Sequence, residues 1–66
     1  MNITLNGQAK TLANTDTISA LITELGYDNK RIAVELNGDI VPKSQHASTT
    51  IKDADTIEIV VAVGGG

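Results

Sequence analysis

A chain of 66 residues holds one domain at most, and at this size only about 60% of the unfolded surface is buried, which leaves little material for the deep cleft an autonomous enzyme needs. The absence of cysteine excludes disulfides, cysteine-ligated zinc and cysteine nucleophiles. A net charge of −3, with eight acidic residues against five basic ones and Tyr27 as the only aromatic, argues against nucleic acid and suits a partner with a positive docking surface.

The opening MNITLNGQAK has no charged-then-apolar leader pattern, and no apolar run approaches the roughly 20 residues of a membrane helix, so a cytoplasmic protein without a membrane partner is expected. Met1 to Leu5 reads as a strand, because Ile3 and Leu5 alternate with Asn2 and Thr4. Asn6-Gly7 tolerates the positive φ angles of a type I′ turn and predicts a hairpin to a second strand, Gln8 to Ala13, anchored by Leu12. Asn14 to Thr17 ends in residues that cap helices. Ile18, Leu21, Ile22 and Leu25 then recur on one helical face, and Gly26 suits a left-handed stop, so a helix is predicted over Ile18 to Leu25.

Ile32 to Leu36 reads as the third strand, Asn37-Gly38 as a second hairpin turn, and Asp39 to Val41 as a short fourth strand closed by Pro42. Lys43 to Thr50 is polar, with room for one helical turn, and Lys52 to Asp55 is a turn. Thr56 to Val63 is the last and most apolar strand, and Gly64-Gly65-Gly66 follows it directly.

One short helix covers only one face of a sheet, which makes this an α+β layer. A hairpin before the helix and strands after it predict the β-grasp of ubiquitin-like domains, with four to five strands in a mixed sheet. The last strand is expected beside the first, parallel to it, in the middle of the sheet. The domain is expected over residues 1–63, and a glycine tail over 64–66.

The tail is the main candidate for chemistry. Glycines lack Cβ, so Gly64, Gly65 and Gly66 adopt any backbone angle and form a thread about 10 Å long that enters channels closed to side chains. With Gly66 taken as the last residue, its unhindered carboxylate is the working group; a carboxylate is a poor electrophile, so it needs activation by a partner, for example as an acyl-adenylate. In the last strand, Ile57, Ile59, Val61 and Val63 are expected to face the helix, and Glu58, Val60 and Ala62 the other way. Val60 and Ala62 break the polar pattern of a solvated face and predict an apolar docking patch beside the tail. His46, the only histidine, is expected at the surface without a metal, while Asp53 and Asp55 fit a cation site or a solvated turn equally well. No nucleophile–base pair or acid–base dyad follows from the spacing, and no cofactor is expected on this chain.

These residues resemble the thiamine-pathway sulfur carrier (ThiS) family over nearly the whole chain. The matching pieces are ITLNG, TISALITELG, AVELNGDIVPK, DADTIEIV and the closing VGGG. Lys43 stands where the family often has Arg, and Ala54 stands where it often has Gly. The resemblance implies that an E1-like adenylyltransferase uses ATP to adenylate the Gly66 carboxylate. Sulfur from a donor protein's persulfide then displaces AMP, and the resulting thiocarboxylate serves thiazole synthase. It also implies a free monomer that acts as a protein co-substrate rather than an enzyme. Three rivals stay open on the residues alone: a molybdopterin-synthase small subunit, a ubiquitin-like modifier joined to lysine, and a non-covalent β-grasp binding module.

Overall fold

The computed structural model describes residues 1–62. Residues 63–66 lie outside it, and with them the expected inward placement of Val63 and the glycine tail. The elements in chain order are β1 (Asn2–Leu5), β2 (Gln8–Thr11), α1 (Ile18–Glu24), β3 (Ile32–Leu36), β4 (Asp39–Val41), a 3-10 turn η1 (Lys43–Gln45) and β5 (Thr56–Val61). The sheet order is β2-β1-β5-β3-β4, with β5 parallel to β1 and antiparallel to β3. This is the mixed five-stranded β-grasp, with the last strand at its centre as expected.

Both Asn-Gly pairs make the predicted turns. Asn6 and Gly7 have φ of 50° and 80°, Asn37 and Gly38 of 51° and 91°, and the flanking residues pair directly as Leu5 with Gln8 and Leu36 with Asp39. The strand β2 stops at Thr11 rather than Ala13. Leu12 still donates its N–H to the Met1 carbonyl, and then turns its side chain into the core.

The helix is one residue shorter than predicted because Leu25 is its C-cap. All the free N–H groups of its first turn find acceptors. Ile18 donates to the Thr49 carbonyl, Ser19 to the His46 carbonyl and Ala20 to Thr17 Oγ1. At the other end Gly26, at φ 78°, donates to Thr23 O while Tyr27 donates to Ile22 O, which is the Schellman closure. The helix buries Ile18, Leu21 and Ile22 against Ile3, Leu12, Val34, Val41, Ile51, Ile57 and Ile59. These ten side chains form one core between the helix and the inner face of the sheet.

The turn before β5 holds Ala54 at φ 72°. A left-handed backbone costs an alanine about 1–2 kcal/mol, part of which glycine gives back through its freer unfolded chain. Ala54→Gly is therefore expected to stabilise the domain by about 0.5–1 kcal/mol, read as a rise of roughly 2–8 °C in the thermal midpoint. Of the two readings open for the neighbouring acids, their hydrogen bonds support the turn. Asp53 Oδ1 accepts from Asn2 N–H at 2.7 Å, and Asp55 accepts from Lys52 N–H and from Asn37 Nδ2. Among the described residues no cluster of acids or histidines is arranged to hold a metal.

Candidate functional site

The strand β5 crosses the centre of the sheet and carries the chain out at the end where β3 begins. Its register with β3 pairs Glu35 with Glu58, Val34 with Ile59, Ala33 with Val60 and Ile32 with Val61. Ala62 extends the pairing by donating its N–H to the Arg31 carbonyl at 2.8 Å. The exit is thus held by a hydrogen bond up to the last residue described.

Two asparagines tie β5 in place in a way their role as turn residues does not announce. Beyond the end of β1, Asn6 Oδ1 accepts from Ile59 N–H at 2.8 Å and Asn6 Nδ2 donates to Ile59 O at 3.2 Å. A side-chain amide here replaces the next rung of the parallel ladder. At the start of β5, Thr56 N–H donates to Asn37 Oδ1 at 2.8 Å, and Asn37 N–H to Thr56 O at 2.7 Å. Buried backbone groups need partners, and these bonds satisfy the central strand where its neighbours turn away.

The two faces of β5 separate as the alternation predicts. Ile57 and Ile59 are buried and Val61 half-buried, while Glu58, Val60 and Ala62 are exposed, Val60 at 61%. The register adds three residues to the outer face that the sequence reading did not single out. Ala33 lies opposite Val60, Glu35 lies opposite Glu58, and Ile40, 73% exposed, lies opposite Glu35 on β4. The face is apolar and acidic together. Like charges directly opposite each other weaken a sheet, so the Glu35–Glu58 arrangement does nothing for the fold. The glycines Gly64, Gly65 and Gly66 lie outside the described residues.

The helix side of the same end holds a cleft of about 460 Å³. Its floor is Ile22, Tyr27 and Ile32, and its walls carry Lys30, Arg31, Lys43, His46 and Asp28. So short a chain leaves little material for a deep cleft, and this one is built from exposed connections. The space forms between the helix–β3 connection and η1, and exposed residues 28–31 and 43 line it. It is therefore a surface cleft and not a water-excluding pocket. His46 is half-buried at the surface, in the lining of this cleft, and its Nε2 lies 3.1 Å from the Val41 carbonyl.

A fold of this kind is shared by many functions, and comparison with known proteins narrows it. A model of the ThiS family matches residues 3–66. The chain belongs to the ThiS family. It is 40% identical over 63 residues to the sulfur carrier protein ThiS of Bacillus subtilis, covering 94% of this chain and 96% of that one. The crystal structure of the thiamine biosynthesis protein ThiS from Geobacter metallireducens superposes with a TM-score of 0.83 at 32% identity, covering the whole of both chains. It is also 42% identical over 66 residues to a thiazole synthase of Paramagnetospirillum magneticum. This ThiS-family chain spans about a fifth of that protein, 20% of its length.

Proposed function

We propose that this chain is the sulfur carrier of thiamine biosynthesis, with the Gly66 carboxylate as the group that carries sulfur. The observation that carries the reading is the family match running through Gly66, on a chain whose central strand is followed in sequence by the glycines. A carboxylate must be activated before a nucleophile will displace its oxygen. An E1-like adenylyltransferase supplies this step: a Gly66 oxygen attacks the α-phosphorus of ATP and pyrophosphate leaves. A donor protein's persulfide attacks the acyl carbon and AMP leaves; cleavage of the S–S bond by a thiol then releases the thiocarboxylate to thiazole synthase. The chain itself is co-substrate in each step and not catalyst. The relationship to a thiazole synthase that contains a similar stretch supports that last transfer.

Docking falls to the outer face beside the exit. Val60, Ala62 and Glu58, flanked by Ala33, Glu35 and Ile40, offer a partner an apolar contact with a negative centre.

Mass spectrometry of the intact protein tests the reading. After incubation with the activating enzyme, ATP and a sulfur source, a fraction of the chain is expected to gain the oxygen-to-sulfur mass difference, localised to Gly66. A ladder of larger conjugates without any sulfur-bearing species would instead identify a modifier.

A further inference from the structure

The basic residues are not spread evenly. Of the five in the chain, Lys30, Arg31 and Lys43 line the cleft at the exit end, while of eight acidic side chains only Asp28 is among its lining residues. Asp28 is itself engaged, accepting a hydrogen bond from Thr23 Oγ1 at 2.8 Å. Among the described residues the ion pair formed is Lys10 with Glu24, on another part of the surface, so none of the three cleft cations is neutralised by a described carboxylate. A protein of net charge −3 therefore carries a positive end, and that end is where β5 leaves the sheet. The apolar floor of Ile22, Tyr27 and Ile32 strengthens the local field, since low-dielectric walls focus it.

The position of the cleft decides its occupant. The Ala62 N–H donates to the Arg31 carbonyl, so the exit and the cationic cluster are adjacent by construction. A partner that draws Gly64–Gly66 into a narrow channel must surround the exit with the mouth of that channel. We propose that the cleft receives acidic side chains from the mouth of the tail channel of the adenylating enzyme, pairing them with Lys30, Arg31 and Lys43. This rests on the carrier reading above. It gives the exit end a second contact opposite in sign to the outer face, where Glu35 and Glu58 call for a cation. The molecule is then a dipole that approaches its enzyme tail-first, and electrostatic complementarity of this kind acts on orientation and association rate.

The test compares two full-length variants of equal net charge. One is Lys30→Glu/Lys43→Glu, in the cleft; the other is Lys10→Glu/Lys52→Glu, away from it. Arg31, whose backbone pairs with Ala62, is left in place so that the strand exit is not disturbed. Circular dichroism and thermal melting confirm that both fold. Affinity and association rate for the purified adenylating enzyme are then measured at low and high salt. The cleft variant is expected to associate at least about 10-fold more slowly at low salt, with the difference shrinking at about 0.5 M salt, and the control to change by less than about 3-fold. Equal effects of both variants would show that only net charge matters, and would overturn the proposal. So would unchanged or faster association of the cleft variant. A wild-type chain that neither binds the adenylating enzyme nor gains sulfur would sink the carrier reading itself. Normal sulfur loading with an unaffected cleft variant would sink only the cleft.

Discussion

Deletion of Gly65 and Gly66 is expected to abolish adenylation while leaving the domain folded. The two losses separate because the ten core side chains and every strand pairing among the described residues lie within residues 2–61. Removing the glycines takes none of them away. The carboxylate, however, moves back by about 7 Å, the reach of two extended residues. A displacement of even 1 Å at a reacting centre costs on the order of 100-fold in rate. ATP–pyrophosphate exchange with the activating enzyme should accordingly fall by more than about 100-fold, with the melting temperature of the truncated chain unchanged. Exchange at the normal rate would mean that Gly66 is not the activated group.

The two faces of β5, both hairpins and the helix are legible in the sequence itself. Alternation in Ile57 to Val61 assigned the two faces of β5 correctly, because period two leaves only one choice once Ile57 and Ile59 are inside. The Asn-Gly pairs fixed both hairpins, because few residues accept two successive positive φ angles. The i, i+3, i+4, i+7 spacing placed the helix, and the misreading of Leu25 is a matter of one residue at a cap.

What the sequence hid depends on contacts between distant segments. Asn6 and Asn37 look like turn residues, and nothing local says that their side chains bond β5, in one case across 53 positions of sequence. The cleft is hidden for the same reason. Lys30 and Arg31 leave the helix–β3 connection, and Lys43 and His46 lie in η1 and at its cap. These two polar segments meet only because the His46 and Thr49 carbonyls take the first free N–H groups of the helix. Counting charges along the chain yields an acidic protein suited to a basic partner. The outer face carries that acidic sign in Glu35 and Glu58, whereas the exit cleft carries the opposite one in Lys30, Arg31 and Lys43. Nothing local marks Ile40 either, since its exposure follows from β4 being an edge strand whose middle residue faces away from the helix.

The sharpest test of the outer face sets two neighbouring residues against each other. Ile59→Asp is expected to unfold the domain. Ile59 is 5% exposed within the core, so the change forfeits about 2–3 kcal/mol of apolar burial and places an unpaired carboxylate where charge costs several kcal/mol more. A domain under about 70 residues has only some 3–5 kcal/mol of stability to lose. Val60→Asp, one residue along, exchanges an exposed side chain for another and loses at most about 1 kcal/mol of strand preference, together with some repulsion from Glu58 on the same face. Yet Val60 is the largest apolar side chain of β5 on the outer face, opposite Ala33. Where a partner buries it, a new carboxylate is desolvated, and losses at such central contacts run to 2 kcal/mol or more, roughly 30-fold in affinity. Circular dichroism should therefore show Ile59→Asp unfolded and Val60→Asp folded, while titration against the adenylating enzyme shows Val60→Asp bound at least about 30-fold more weakly than the parent chain. Two equally unfolded variants would mean the faces of β5 are not divided as the register places them. A folded Val60→Asp that binds normally would move the docking surface away from Glu58, Val60 and Ala62 and leave the exit cleft as the principal contact.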